Sequence, residues 1–408
     1  MPSESTTSVA PLPPSRAFWE VFLLGLVSFL TDLSSETIFA VLPIYFVAVL
    51  GGTTIALGVM EGLADFASSS LDMASGYLSD RTGKRKWFAF SGYAFSTAAK
   101  SLLLFAGSAA GVMAFRVLER LGKSVRGAPR DAILSAIAPK EKRGTSFGLH
   151  KALDKAGAVL GPLLAYVVLD RFGESASTFQ GLFLATLLPA ILAVVILGLF
   201  VKDRSHSAPS HHSLKETLLI LGPRFRHYLI ATAIFSLGYF SFAFLLLKAK
   251  LAGFEAKDQA LLYGLLNLVF VAVSIPIGWL GDRMGRRQIV IFSYILYALL
   301  SIGFCYSHTS SQIVAMFVLY GVFFAMDEGQ AKAYLADLSS PETRATAIGI
   351  YGFVTGLIYL PASLLAGLLW AYDPAWAFYL AAGTSIGALL VFVLMGQSGS
   401  EQGNVSSK

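Results

Sequence analysis

Apolar side chains fill this chain in long blocks, separated at regular intervals by short polar stretches. Twelve blocks are long enough to cross a bilayer as helices: 18–47, 54–79, 87–107, 110–137, 144–169, 178–201, 228–250, 260–281, 288–307, 311–337, 345–371 and 375–396. A segment in hydrocarbon has no water for its backbone amides and must satisfy them within a helix or a closed barrel. The blocks lack the alternation of barrel strands, so an all-α membrane protein is expected. Residues 1–17, rich in Pro, Ser and Thr, read as a tail; they lack the basic start and cleavage site of a signal peptide. Residues 397–408 read as a second polar tail.

The polar gaps are unequal. Arg81, Lys84, Arg85 and Lys86 follow span 2. Lys140, Lys142 and Arg143 follow span 4, and Arg283, Arg286 and Arg287 follow span 8. A linker at 202–227 adds Lys202, Arg204, Lys215, Arg224 and Arg226. The alternate gaps hold little beyond Arg171 and Lys257. Bases collect on the cytoplasmic side of membrane proteins, so both tails are expected in the cytoplasm and the chain in the cytoplasmic (inner) membrane.

Composition agrees. The 408 residues are 55% hydrophobic, and charged residues make up 14%, against about 25% in ordinary soluble proteins. A single cysteine, Cys305, excludes an intramolecular disulfide and a cysteine-built metal site. The net charge of +6 is spent on orientation, and no nucleic-acid partner is expected. His206, His211 and His212 in the linker have poor ligand spacing; neither metal nor cofactor is expected.

The linker divides the chain into two similar halves, 18–201 and 228–396. GYLSDRTGKRK (Gly76 to Lys86) matches GWLGDRMGRRQ (Gly278 to Gln288), and Gly76/Gly278, Asp80/Asp282 and Gly83/Gly285 each stand 202 residues apart. Pro139 and Pro341 repeat the offset. A six-helix unit duplicated in the same topology is expected.

The segment Gly76-x-x-x-Asp80-Arg81-x-Gly83-Lys84-Arg85-Lys86, with its second copy at Gly278 to Arg287, resembles the loop 2–3 signature of the major facilitator superfamily. The resemblance covers the whole chain. It implies two six-helix bundles around a cavity that opens alternately to either side, with helices 1, 4, 7 and 10 lining it. It also implies a gate made by Gly76, Asp80, Arg81, Gly83 and Arg85 and by Gly278, Asp282, Arg283 and Arg287. Arg116, Glu119, Gly122 and Pro129 resemble the family's fourth-helix signature, with Glu119 and Arg120 replacing its usual Gln and Gly. Gly148-x8-Gly157-x3-Gly161-Pro162 resembles the fifth-helix motif of proton-coupled antiporters and suggests export. That helix departs from the motif in carrying His150, Lys151, Asp154 and Lys155.

The intramembrane charges carry the chemistry. On a helical wheel every charge of span 4, from Arg116 to Asp131, falls within an arc of about 140°. Charges cannot face lipid cheaply, so this arc faces water, solute or other charged helices. Asp32 and Glu36, one turn apart in span 1, are the first candidates for taking up and releasing a proton, with Glu119 next. Arg116, Arg120, Lys123 and Arg126, with Asp154, Asp327 and Glu328, are candidates for binding solute. Tyr239, Phe240, Phe242, Tyr351 and Tyr359 are candidates for an aromatic wall. Structural ion pairing is the plainer reading of any single charge.

The expected function is proton-coupled secondary transport of a small organic solute by alternating access, with efflux by antiport suggested and a monomer as the working unit. The alternative is a proton-coupled importer of an anionic solute such as a siderophore or organic acid. A membrane sensor or scaffold would need a sizeable soluble domain, and an ATP-driven pump would need a GxxxxGK[ST] loop; neither is present. No HExxH or GxSxG motif points to an enzyme.

Overall fold

A computed structural model describes residues 14–104, 107–137, 143–202, 222–339 and 344–401. The side chains of Gly76, Asp80 and Arg81, together with Pro139, Pro341 and the linker histidines, lie outside the described residues.

Every regular element described is helical. In the first half α1 is Pro14–Ile44, ending in a π-helical turn at Tyr45–Val49, and α2 is Thr54–Thr82. Then come α3 (Arg85–Ser101), α4 (Ala109–Ile137), α5 (Arg143–Phe172) and α6 (Ala176–Phe200). In the second half the seventh span is two helices, α7 (Pro223–Ser236) and α8 (Ala243–Leu251). It is followed by α9 (Ala256–Met284), α10 (Arg286–Tyr306), α11 (Ser310–Asp337), α12 (Arg344–Tyr372) and α13 (Pro374–Glu401).

Eight of these, α1, α5, α6 and α9 to α13, are long and apolar enough to cross a membrane by length and composition. The rest belong to spans that are shorter, broken or crossed by charge: α3 has 17 residues, span seven is interrupted, and α2 and α4 carry buried acids and bases.

Local chemistry explains the ends. The side chains of Thr53, Ser175 and Thr309 accept backbone N–H groups at the starts of α2, α6 and α11, and Gln312 completes a capping box with Thr309. Gly83 and Gly285 close the two copies of the repeated motif with φ of 64° and 94°, a region that side chains with a Cβ avoid. Pro223 occupies the first turn of α7, so Arg224 and Arg226, read from the sequence as linker, begin the helix instead.

Small residues set the helix distances, as expected where lipid supplies no hydrophobic drive between helices. Within the first half α1 packs on α5, and α4 on both α2 and α3. Gly161 is the closest point of the first pair: a Cβ there would stand 2.8 Å from the Thr37 amide nitrogen. In the second half α9 packs on α11, and α13 on α7 and α10.

The halves meet through α2 with α12 and α5 with α9. Contact begins at the base-poor end, where Thr54 Oγ1 donates to the Gly367 carbonyl at 3.3 Å. Nearby, Lys257 donates through its backbone N–H to Glu174 (3.1 Å) and through Nζ to Asp170 (3.0 Å). Along α2, a Cβ at Gly58 would strike the Ser363 carbonyl.

These two kinds of contact separate experimentally. Gly161→Val overpacks the interior of one half, at about 1–3 kcal/mol, and should reduce the yield of monodisperse protein. Gly58→Val should leave each half folded but oppose closure at the base-poor end. In a Cys305→Ser background, a cysteine placed at Thr54 should then react faster with an impermeant maleimide.

Candidate functional site: a cavity between the halves

The break in span seven shapes the site. Gly238 lies so close to α13 that a Cβ would collide with Thr384. Its carbonyl accepts from Tyr297 Oη at 3.1 Å, and the Ala243 amide is met by Ser241 Oγ at 3.3 Å. The freed backbone groups are therefore answered inside the protein, as a broken membrane helix requires. The reward is that four consecutive residues, Tyr239, Phe240, Ser241 and Phe242, reach one cavity.

That cavity holds about 390 Å³ and takes one wall from each half. The first half supplies charge: Glu36 from α1, Glu61 and Asp65 from α2, Arg120 and Lys123 from α4, and Lys155 from α5. The second supplies rings and hydroxyls: the broken segment, Tyr263 and Asn267 from α9, Tyr320 and Phe324 from α11, and Tyr351 and Tyr359 from α12. Asp327 and Glu328 of α11 complete it.

The charged arc of α4 is divided by depth. Arg116 is 1% exposed and grips Glu61 with two bonds, Nε to Oε1 at 2.9 Å and Nη2 to Oε2 at 2.8 Å. Its guanidinium also lies 4.1 Å from the centre of the Phe39 ring. Glu119, fully buried, accepts from Ser35 at 3.5 Å and stands 3.9 Å from Arg116. Arg126 donates to Ser96 at 2.7 Å and covers the Tyr93 ring at 4.5 Å. Arg120 and Lys123 reach the cavity instead, Arg120 paired with Asp65 at 3.4 Å.

Of the other candidates, Glu36 lines the cavity and accepts the Tyr263 hydroxyl at 2.6 Å. Asp32 does not line it; it lies against α5, where a Cβ at Gly157 would come within 3.2 Å of the Asp32 Cβ. Asp154 is tied to Arg130 (3.8 Å) and Lys151 (3.4 Å) away from the cavity. In the helix-5 motif Gly157 and Gly161 abut α1, Pro162 touches the approach to Gly264, and Gly148 meets nothing within 4 Å.

In the second copy of the repeated motif, Asp282 pairs with Arg286 at 3.3 Å. Arg286 also binds Asp337 at 2.7 Å and the Ala333 carbonyl at 3.0 Å, tying the α9–α10 turn to the end of α11. Arg283 covers the Trp279 ring at 3.9 Å and Arg287 lies 5.6 Å from that of Phe392. The partner of Asp282 is thus Arg286, a residue that the sequence reading did not place in the gate. In the first copy, Arg85 is buried.

Among the described residues, two bonds cross between the halves at the cavity: Tyr263 Oη to Glu36, and Ser241 Oγ to Glu61 Oε2 at 2.9 Å. They join α1 to α9, and the break of span seven to α2. These helix pairs are counterparts under the internal duplication, and Glu61 and Tyr263 stand 202 residues apart. Ser241 and Tyr263 escaped the sequence reading because a hydroxyl in a greasy span carries no charge to mark it. For Tyr263 the offset from Glu61 was the one available signal; Ser241 had none.

Two helical halves around a charged internal cavity define a multi-pass membrane transporter. The sequence profile of the Major Facilitator Superfamily matches residues 24–274 and 228–408, and the chain belongs to that family. An uncharacterized MFS-type transporter of Methanocaldococcus jannaschii is 37% identical over 381 residues, covering 91% of this chain and 94% of the relative. The multidrug resistance protein MdtG of Serratia proteamaculans is 28% identical, covering 76% and 77%. In fold, a mutant form of the nucleoside transporter NupG superposes with a TM-score of 0.79 at 14% identity, covering 92% of this chain and 99% of its own. A bacterial homolog of the human lysosomal transporter Spinster, in an inward-facing state, gives 0.72 at 15%, covering 94% and 96%.

The division of α4 yields a contrast. Arg116→Gln strands Glu61 in a buried site and should cost about 3–5 kcal/mol, seen as loss of folded protein in size-exclusion chromatography. Arg116→Gln with Glu61→Gln should recover much of the yield. Lys123→Gln, on the cavity wall, should leave the melting temperature within a few degrees.

Proposed function

We propose that this protein is a proton-coupled secondary transporter that moves a small organic solute through the central cavity by alternating access. The observation that carries this reading is the Glu36–Tyr263 bond. It makes an intramembrane carboxylate part of the contact between the two halves. An ionised Glu36 is a strong acceptor for the Tyr263 hydroxyl; a protonated one is weaker and surrenders part of the contact. Proton occupancy at Glu36 therefore biases the balance between closed and open states, which is the requirement for coupling. Asp32, one turn away, is the second candidate. Glu119, enclosed by Arg116 and Ser35 inside the first half, reads as a structural anion.

The bases between spans 2–3, 4–5 and 8–9 favour, by the positive-inside rule, a base-rich end in the cytoplasm with both termini there. The two repeated motifs sit at that end and act as its gate. Efflux is favoured by the helix-5 motif and by the likeness to a multidrug resistance protein. Import of an anionic solute is the second reading, favoured by Arg120, Lys123 and Lys155 on one wall.

Reconstituted protein tests the coupling. An imposed pH gradient should drive net solute movement. Glu36→Gln should abolish the driven movement while sparing solute exchange, and Tyr263→Phe should reduce it several-fold. Normal accumulation by Glu36→Gln and Asp32→Asn alike would sink the assignment.

A further inference from the structure

The two walls of the cavity differ in how their charges are answered. On the first half, two of the three bases that reach the cavity, Arg120 and Lys155, are engaged by a neighbouring acid or ring. Arg120 pairs with Asp65. The charge of Lys123 acts on Asp32, Asp65 and Glu119. Lys155 lies 4.2 Å over the Phe270 ring and its charge acts on Asp154. Glu61 is held by Arg116.

Asp327 stands apart. Among the described residues it has no hydrogen bond and no ion pair, and the charge that acts on it is the like charge of Glu328. It projects from α11 among tyrosines: its charge acts on Tyr239, Tyr320, Tyr351 and Tyr359. The Tyr239 and Tyr359 rings lie 5.5 Å apart and line the cavity with it. An acid in a membrane cavity with no cationic partner among the described residues is a candidate functional site, and a cation on the solute would satisfy it. Aromatic faces with a carboxylate among them suit an ammonium group borne on an apolar body, through cation–π attraction and an ion pair together.

Resting on the transport reading above, we propose that the solute of this cavity carries a protonated amine on an aromatic or similarly apolar body. The amine is held by Asp327 within the tyrosine wall. The charged wall of the first half then faces the rest of the solute.

A matched series tests the charge and keeps the body constant: tryptamine, tryptophan and indole-3-propionate, titrated into the purified full-length protein by calorimetry. Tryptamine should bind, with indole-3-propionate at least tenfold weaker. Asp327→Asn should weaken tryptamine at least tenfold, with the melting temperature and elution volume unchanged, and Asp327→Glu should recover most of the loss. Equal or tighter binding of the propionate, no binding of tryptamine to the wild type, or unaltered tryptamine binding in Asp327→Asn would each overturn the proposal. Tighter binding of tryptophan than of tryptamine, lost in Lys123→Gln, would replace it with an amphoteric solute.

Proteoliposomes separate this from the transport reading. Tryptamine that binds through Asp327 but is never moved across the bilayer would leave the site standing and end the transport reading. Proton-driven movement of another solute with no tryptamine binding would do the reverse.

Discussion

A guanidinium inside a membrane protein must be paired, and the bidentate bond between Arg116 and Glu61 is the contact around which the first half is arranged. It joins α4 to α2, places Arg116 against Phe39 of α1, and leaves Glu61 Oε2 available to Ser241 of the other half. Desolvating two such charges costs several kcal/mol each, which good geometry and added hydrogen bonds repay. The surrounding sites follow the same rule at smaller scale: Lys100 on Ser34, Arg126 on Ser96, Arg120 on Asp65. The first half is thus built as a polar core in a greasy shell.

The second half solves the problem differently. Its cavity wall is made of tyrosines, phenylalanines and the broken seventh span, with few charges. Rings give it bulk and hydroxyls give it polarity without desolvating ions. Among the described residues, two hydrogen bonds join the two walls at the cavity, Glu36 to Tyr263 and Glu61 to Ser241, on helix pairs that are counterparts under the internal duplication. Duplicated halves with unlike walls produce a cavity that is asymmetric in charge.

The division of the α4 arc shows where pattern reading stops. Its charges share one face, as the wheel demanded, but a face seen in projection has no depth. Arg116, Glu119 and Arg126 are buried between helices while Arg120 and Lys123 open to the cavity. Periodicity reports direction around an axis; which helix stands opposite each turn is a property of the assembled bundle.

The sequence by itself determined the membrane class, the number and approximate limits of the spans, the duplication and the asymmetry of bases between gaps. Each rests on composition or on distance along the chain, which folding does not alter. It also marked Glu36, Asp327, Tyr239, Tyr351 and Tyr359, because polar residues in apolar runs stand out wherever they end. The tertiary structure alone decided the break in span seven beside Gly238, which packs closely against α13, and the pairing of Asp282 with Arg286. It also decided the hydroxyl partners Tyr263 and Ser241 and, among the described residues, the lack of a hydrogen bond or ion pair at Asp327. These depend on which residues far apart in the chain come within a few ångströms of each other, and no one-dimensional pattern carries that distance.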